Sequence, residues 1–387
     1  MPRHPHVAPA LDHLTGSLFS KLAARIAALE GEVFPLHVGD SWLIPPLGAR
    51  TEDVHHADHP RLNCYARPHG HPALLDAIQA FYPGVARDRL LVTTGATGAL
   101  DAISSALLAP GDEVLICAPF WPLIRGIVVE SRGVPRELDL YLALDRTLDA
   151  ADARAAVRDR VAAAVTERTV AIYVNTPNNP TGLVMTRPEL EGLVDAARAH
   201  DLWIWSDAVY EHHAYARPDH PLRGLAPERT FEVHSFSKGW AMAGNRCGFV
   251  IGPDDPRHTA EVRKISTHTF YSAPTVSQLA GAAVLRSGAD WLQASRDAYS
   301  AAGERAAERL GVPAPEGGTF LFLDVAEHLD ARGLEGFLID CIDRNLVLAP
   351  GSSCGTAYDT HVRVCFTSAR PDVVLRGVEV LAQLLGR

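Results

Sequence analysis

The sequence predicts an α/β protein with a large domain, built on a mostly parallel sheet covered by helices on both faces, and a smaller α+β domain. The length of 387 residues exceeds what one small core accommodates. Between about residues 90 and 251, short apolar strands alternate with helical segments, a pattern typical of parallel sheets. Beyond Ser272 the pattern changes to long helices and separated strands. We therefore predict an N-terminal segment (1–45) that joins the small domain, a large domain (46–275) and a small C-terminal domain (276–387).

The composition argues against several classes of function. The net charge of −10 disfavours nucleic acid or an anionic membrane surface as partner, and no apolar run is long enough to span a bilayer. The six cysteines form no CxxC pair, which argues against zinc or a disulfide framework and favours the reducing cytoplasm. The densest histidine clusters, 55–59 and 69–71, lack the helical spacing of metal ligands, so we expect solvated loop histidines and no metal.

The elements before the alternating region follow from local patterns. Residues 14–30 have apolar side chains near helical spacing and predict a helix. Residues 33–38 predict a short strand, and the Pro/Gly-rich residues 41–49 predict a loop. Residues 72–81 predict a helix, since proline is favoured in a first helical turn.

The alternating region and the C-terminal part give the remaining elements. The predicted strands cover residues 90–94, 113–117, 134–140, 170–174, 202–206, 231–235, 249–251, 320–325 and 361–366. The predicted helices cover residues 95–108, a segment after Pro122, 187–200, 273–285, 289–310 and 334–344. In parallel sheets ligands bind beyond the carboxyl ends of the strands, so residues that directly follow these strands are the candidate site residues.

Two polar groups follow neighbouring strands. Asp207 comes directly after a mostly apolar strand, where a carboxylate needs a cationic partner, and Tyr210 lies three residues further on. The prolines and glycine of Asn175-Thr176-Pro177-Asn178-Asn179-Pro180-Thr181-Gly182 fix a rigid turn that can aim the amide of Asn179.

Two further turns suggest an anion and a flat ring. Gly95-Ala96-Thr97-Gly98 opens a helix and offers free backbone N–H donors, which suit an anion. Pro119-Phe120-Trp121-Pro122 offers aromatic side chains for stacking. Each of these turns, taken singly, is also compatible with an ordinary structural role.

A single lysine lies in a Ser-rich turn after another strand. In Ser235-Phe236-Ser237-Lys238, a lysine held at the floor of a cleft would lose hydration, so its pKa would fall and it could attack carbonyl groups. The serines, together with Arg246 in Gly244-Asn245-Arg246-Cys247-Gly248, offer donors for a phosphate. A lysine beside a phosphate site suggests pyridoxal phosphate. This stretch alone is equally compatible with a surface lysine beside a loop arginine.

Together, these motifs resemble the class I/II aminotransferases, which are fold-type I pyridoxal-phosphate enzymes, from about residue 33 to the C-terminus. The most specific matches are the turn at 175–182, Asp207-Ala208-Val209-Tyr210, and residues 235–248. The resemblance implies that Lys238 forms the Schiff base with the cofactor and moves the substrate proton. The other cofactor contacts that it implies are Asp207 at the ring nitrogen, Asn179 and Tyr210 at the phenolic oxygen, Trp121 on the ring, and Ser235, Arg246, Ala96 and Thr97 at the phosphate.

The resemblance also implies substrate contacts and a dimer. Arg363 matches the arginine that grips the substrate carboxylate, for which a bidentate guanidinium is suited. Gly39 and Asn179 match residues near the substrate. Tyr65 matches a tyrosine that reaches the neighbouring subunit's phosphate, which implies a homodimer with shared active sites. The implied reaction moves an amino group from an L-amino acid to a 2-oxo acid by a ping-pong mechanism.

The reaction and the amino donor stay open at this point. Lyases, cyclases, decarboxylases and oxidases of the same fold use the same lysine, aspartate and arginine. A non-catalytic binding protein is a further alternative, against which the retained Lys238 argues. Aspartate-type relatives often carry a lysine where this chain has Thr97, although Arg50, Arg61 or Arg67 could replace it. Because the loop at 41–46 is apolar, we expect an aromatic or aliphatic donor.

Overall fold

A computed structural model of the chain describes residues 18–387, and their side chains from residue 21 onward. In chain order, the strands are β1 (Phe34–Pro35), β2 (Leu90–Thr93), β3 (Glu113–Ala118), β4 (Val134–Asp139), β5 (Thr169–Asn175), β6 (Trp203–Asp207), β7 (Thr230–Ser235), β8 (Gly248–Ile251), β9 (Phe320–Asp324), β10 (Leu346–Val347), β11 (Ala349–Pro350) and β12 (His361–Cys365).

The helices of the described residues cover most of the rest. In chain order, they are α1 (Leu18–Ala27), α2 (Pro72–Phe81), α3 (Gly95–Leu107), α4 (Leu123–Glu130), α5 (Ala150–Ala164), α6 (Arg187–Ala199), α7 (Leu222–Leu225), α8 (Phe236–Gly239), α9 (Pro256–Thr269), α10 (Thr275–Ser287), α11 (Ala289–Leu310), α12 (Gly333–Ile342) and α13 (Pro371–Leu384). No helix among these is both long and apolar enough to cross a membrane.

The central sheet has seven strands in the order β2-β8-β7-β6-β5-β3-β4. The strand β8 runs antiparallel to both of its neighbours, and the remaining pairs are parallel. The carboxyl ends of β2, β3, β5, β6 and β7 therefore lie at one edge. The register there pairs Asn175 with Asp207, which puts these two residues side by side.

Helices cover both faces of the central sheet, as the alternating pattern predicts. On one face α3, α4 and α9 pack on a core that includes Val114, Tyr173 and Trp205. On the other face α5 and α6 cover β3, β5 and β6, while α2 and α10 cover β2 and β8. The α/β class with a mostly parallel, doubly covered sheet is confirmed.

A second core lies in the C-terminal part of the chain. The strands β11, β12 and β9 form an antiparallel sheet, and α1, α11, α12 and α13 pack around it. The strand β1 pairs with β10 in parallel, with Phe34 opposite Leu346, so the N-terminal segment joins this core. The predicted domain boundaries at residues 45 and 275 stay a prediction.

Several elements differ from the prediction. The helices α5, α7, α8, α9 and α13 and the short strands β10 and β11 were not predicted. α5 is alanine-rich and buries only Val157 and Val161, so its apolar periodicity is weak. α13, in contrast, has a clear helical signal that includes Val374 and Val378. The predicted strand at 33–38 shrinks to β1 because Pro35 has no N–H to donate to a neighbouring strand.

The predicted N-terminal helix is also shorter than expected. Among the described residues it spans Leu18–Ala27, whereas the prediction extended to residue 30. Residues 14–17 of that prediction lie outside the described residues.

Candidate active site

Every predicted site residue except Tyr65 lines one cleft of about 180 Å³. The cleft lies between the carboxyl edge of the central sheet and the C-terminal sheet. The predicted residues that line it are Gly39, Ala96, Thr97, Trp121, Asn179, Asp207, Tyr210, Ser235, Lys238, Arg246 and Arg363. Residues far apart in the chain thus meet in one place.

Lys238 lies in the short helix α8, directly after β7. The hydroxyl of Ser235 caps this helix by accepting a hydrogen bond from the backbone N–H of Ser237 (3.1 Å). The Lys238 ammonium donates to the backbone carbonyl of Gly39. Burial lowers the pKa of the Lys238 amine below its usual value, because a charged ammonium is poorly solvated there. A larger share of the amine is therefore neutral and nucleophilic.

Asp207 is the last residue of β6, and its side chain is buried. Its Oδ2 accepts a hydrogen bond from the hydroxyl of Tyr173 (2.6 Å). Burial raises the pKa of Asp207 to about 6, although the Tyr173 hydrogen bond acts in the opposite direction. A buried carboxylate of this kind is stabilised by a cation that enters the cleft, such as a protonated pyridine nitrogen.

Two asparagines connect Asp207 to Arg363. The side-chain amide of Asn175 donates to the backbone carbonyl of Asp207 (2.7 Å), and its Oδ1 accepts from the backbone N–H of Asn179 (2.7 Å). The Oδ1 of Asn179 accepts a hydrogen bond from Arg363 (2.9 Å). The turn after β5 therefore sets the acid and the arginine at fixed positions on the cleft wall.

The helix α3 begins at the opposite end of the cleft. The side chain of its N-cap residue Thr94 does not cap it, and Ala96 and Thr97 of its first turn line the cleft, so backbone N–H groups are available there. Gly95 has a φ of +75°, which favours glycine, and the guanidinium of Arg246 lies 2.9 Å from where a Cβ would be. Ser235 and Ser237 also line this end and share a hydrogen bond (2.9 Å). Backbone donors, hydroxyls and a guanidinium together fit a phosphate.

Arg363 lies on β12 and is only 8% exposed. Its guanidinium donates to the backbone carbonyl of His37 (2.8 Å) and lies over the ring of Phe320, 4.3 Å from the ring centre. Its Nε, which is buried, has no hydrogen-bond partner among the described residues, so a donor remains for a carboxylate. A Cβ on Gly39 would lie 2.7 Å from the Phe320 ring, which explains the glycine at this position.

Tyr65 does not lie in this cleft. Its side chain is 87% exposed and packs edge to face on Tyr271, with ring centres 5.2 Å apart. Trp121 and Tyr210 do reach the cleft, Tyr210 as a buried residue whose pKa burial raises. The predicted contact of Tyr65 is with the phosphate site of a neighbouring subunit, so it stays a prediction.

The sequence did not reveal three supporting side chains. Tyr173 lies in an apolar strand, so its hydroxyl looked like part of the core. Phe320 was assigned to a strand, but its position under Arg363 depends on the β9–β12 register. Asn175 belonged to the turn that the sequence singled out, and its place at the end of β5 was the signal that could have identified it.

Among the described residues, Glu211, Glu232 and His234 form the one group with metal-ligand geometry, with ligand atoms within 4.8 Å of one another. Burial alone would lower the pKa of His234, but the two glutamates raise it to about 9. His234 Nδ1 lies 2.7 Å from Glu211, and Arg223 pairs with Glu232. Two cations thus balance two carboxylates, which is the chemistry of a buried ion cluster and not of a metal site.

The fold and the cleft define a pyridoxal-phosphate enzyme of fold-type I. The buried Asp207 carboxylate, the Lys238 amine and the first turn of α3 each have the chemistry that one part of that cofactor requires. When bound, the cofactor draws electrons away from the α-carbon of the substrate.

Comparisons with known proteins give the family. Residues 35–381 match the aminotransferase class I and II family, and the chain therefore belongs to it. It is a pyridoxal-phosphate-dependent aminotransferase, which moves an amino group from an amino acid to a 2-oxo acid. Of the reactions that the sequence left open, transamination is thus the one that the family supports.

Individual relatives differ in the substrates that they are named for. The aspartate/prephenate aminotransferase of Thermus thermophilus is 29% identical over 345 residues, covering 84% of this chain and 83% of the relative. Aromatic-amino-acid aminotransferase 2 of Thermococcus litoralis is 30% identical over 298 residues, covering 73% of this chain and 72% of the relative. The solved structure of N-succinyldiaminopimelate aminotransferase from Mycobacterium tuberculosis has a TM-score of 0.85 and 26% identity, covering 98% of this chain and all of that one.

Proposed function

We propose that this aminotransferase prefers amino donors whose side chain is uncharged, either aromatic or aliphatic. The observation that carries the proposal is the number of cations at the cleft. Among the described residues that line it, the cationic side chains are Lys238, Arg246 and Arg363. Two of them are needed by the aldehyde and the phosphate of the cofactor, and the third by the α-carboxylate that every donor carries, so none is left for a second carboxylate.

The assignment of these three cations rests on their positions. Lys238 takes the cofactor aldehyde and then holds and returns the α-proton, because burial favours its neutral amine. Arg246 and the start of α3 hold the cofactor phosphate. Arg363 holds the α-carboxylate with the donors that His37 and Asn179 leave available. With the cofactor bound, Asp207 would keep the ring nitrogen protonated, Asn179 and Tyr210 would donate to the phenolic oxygen, and Trp121 would stack on the ring.

Apart from Asp207, neutral side chains form the rest of the lining. Ala96 and Thr97 lie at one end of the cleft, and Val209 and Phe320 line its wall. An uncharged donor side chain can contact these groups without losing hydration of a charge, whereas a carboxylate there would have no cation to pair with.

A donor panel tests this proposal. With pyruvate, a 2-oxo acid with one carboxylate, as acceptor, release of the 2-oxo acid from phenylalanine, tyrosine and leucine should exceed release from aspartate, and a clear preference for aspartate would contradict the proposal. Thr97→Lys adds a cation to the lining and should raise the kcat/KM for aspartate. Thr97→Met, which has a similar length and no charge, is the matched control and should not.

We also propose a homodimer in which Tyr65 reaches the phosphate site of the partner subunit. Its 87% exposure in the single chain supports this, since an aromatic side chain of that exposure is available for a partner. The six cysteines are free, five of them buried, which supports a reducing cytoplasm as the location.

A further inference from the structure

We propose that Glu137 and Asp139 position Arg363 for the substrate carboxylate, acting through residues 351–360. This segment, here called the docking loop, joins β11 to β12, the strand that carries Arg363. The proposal rests on the role of Arg363 proposed above. Neither acid lines the cleft, so both would be positioning residues.

The two acids bind the docking loop from the edge of the central sheet. Both lie on β4, which is one of the two edge strands of the central sheet. Oε2 of Glu137 accepts hydrogen bonds from both the backbone N–H and the hydroxyl of Thr356, each at 2.8 Å. Oδ1 of Asp139 accepts a hydrogen bond from the hydroxyl of Tyr358 (3.2 Å). Hydrogen bonds to a charged acceptor are among the strong ones, so they hold the loop at a defined position.

The second oxygen of Glu137 has a different partner. Its Oε1 pairs with the half-exposed Arg125 of α4 at 2.7 Å, whereas the bonds to the loop are made by Oε2 alone. Gly355 permits the contact: it has a φ of +145°, and a Cβ there would lie 2.8 Å from the Tyr358 ring and 3.4 Å from Oε2 of Glu137. Glycine is therefore the residue that lets the loop lie this close to the acid.

Packing supports the same position of the loop. The side chain of Tyr358 is 4% exposed and belongs to the core on one face of the central sheet. Its ring contacts Phe322 and His361 edge to face, with ring centres 5.7 and 5.5 Å apart. Tyr358 of the docking loop thus inserts into the core of the central sheet. The two residues that its ring contacts both lie near Arg363: Phe322 is opposite Arg363 on β9, and His361 is two residues before it on β12.

The loop also contacts the segment that carries the predicted ring-stacking residue. The backbone N–H of Phe120 donates to the carbonyl of Cys354 (2.9 Å), and Phe120 directly precedes Trp121. At its other end the loop leads into the β11–β12 pair, in which Ala349 lies opposite Arg363. The docking loop therefore fixes the distance between the substrate arginine and the wall of the cofactor site.

The experiment separates binding of the carboxylate from binding of the rest of the ligand. The probes are 3-phenylpropanoate and 3-phenylpropanamide, which differ only at the group that Arg363 would hold, a charged carboxylate in the first and a neutral amide in the second. Glu137→Ala should weaken binding of the carboxylate to the holoenzyme about tenfold, as expected for lost hydrogen bonds to a charged group, and leave binding of the amide unchanged. It should raise the KM for phenylalanine more than it lowers kcat. Tyr358→Phe, which keeps the ring, should give a smaller change in the same direction.

Two matched controls act near the same acids. Thr360→Val removes a hydroxyl of the docking loop that lies 3.2 Å from His361 and makes no hydrogen bond to β4. Arg125→Gln removes the ion pair of Glu137 but keeps its Oε2 bonds. Both should bind the two probes nearly as the parent enzyme does. Hydrogen exchange of the Thr356 and Phe120 amides gives a readout independent of activity, and Glu137→Ala should accelerate both.

Two results would overturn the proposal. The first is faster exchange of the loop amides with unchanged carboxylate binding, and the second is an equal loss of affinity for both probes. Arg363→Lys tests separately whether Arg363 binds the substrate carboxylate. If this variant binds the carboxylate probe as the parent enzyme does, the proposed role of Arg363 is wrong, whatever the loop variants do.

Discussion

The cofactor edge of the central sheet and the C-terminal sheet build their halves of the cleft in different ways. At the cofactor edge, Asp207 is the last residue of β6 and Lys238 follows the neighbouring strand β7, so their positions come from local structure. On the substrate side, Arg363 depends on the carbonyl of His37, 326 residues earlier in the chain, and on Asn179 from the other sheet. We therefore expect variants at the cofactor edge to affect chemistry, and variants of the C-terminal sheet to affect recognition of the substrate.

The largest effect should come from the lysine. Lys238→Ala removes both the nucleophile and the proton carrier, so kcat should fall by at least about 10⁴-fold, while the phosphate contacts still hold cofactor. Stopped assays of 2-oxo acid release measure kcat, and the visible absorbance of the purified protein measures the bound cofactor. Lys264→Ala is the control, since Lys264 is exposed and pairs with Glu261. Retention of a tenth of the turnover in Lys238→Ala would contradict the assignment.

The next largest effect should come from Asp207, where activity and stability should change in opposite directions. Asp207→Asn removes the charge that keeps the ring nitrogen protonated, so kcat should fall by about 10² to 10³-fold. Equal rates in the variant and the parent would show that the acid has another role.

The stability change follows from the raised pKa of Asp207. Its pKa is about 6 in the folded, cofactor-free protein and near 3.8 when unfolded. The folded state therefore binds more protons between these values, and its stability falls as the pH rises through this window. Asparagine cannot ionise, so the cofactor-free variant should be more stable at about pH 8 by up to about 3 kcal/mol, and the difference should vanish below about pH 4. Urea unfolding at a series of pH values measures this difference in the free energy of unfolding. A stabilisation of the variant that grows toward low pH would contradict the raised pKa of Asp207.

A smaller effect is expected on the substrate side. Arg363→Lys keeps the charge but loses the planar guanidinium that contacts Asn179, His37 and Phe320, so kcat/KM should fall about 10²-fold, chiefly through KM. Cofactor affinity, measured by titration of the cofactor-free protein, should change little. A loss of cofactor affinity as large as the loss in kcat/KM would remove the distinction between the two halves of the cleft.

The smallest effect should come from Tyr65. Tyr65→Phe removes one hydroxyl that would reach the partner's phosphate, so cofactor affinity should fall about tenfold or less while the dimer persists in sedimentation. Tyr271→Phe is the matched control, because Tyr271 is the exposed ring against which Tyr65 packs. Equal affinity in both variants, or a monomer in solution, would argue against a shared site.

The difference between the cofactor edge and the C-terminal sheet also explains which features could be predicted from the sequence. The sheet was predictable because its strands are short apolar runs, and Asp207 because a charged residue at the end of such a run is conspicuous. The hydrogen bond from Tyr173 to Asp207 was not, since a tyrosine in a buried strand looks like core until its neighbour is known. The contact of Arg363 with Phe320 depends on the β9–β12 register, and the contacts of the docking loop with β4 depend on packing between the sheets, neither of which a local pattern encodes.

The most direct test of the account is where the cofactor attaches. The chain has three lysines, Lys21, Lys238 and Lys264, so the result is unambiguous. Purified enzyme loaded with pyridoxal phosphate is reduced with borohydride and digested, and the peptides are identified by mass. The account predicts that the cofactor mass appears on the peptide that contains Lys238. Attachment at Lys21 or Lys264 instead, or no attachment at all, would contradict it.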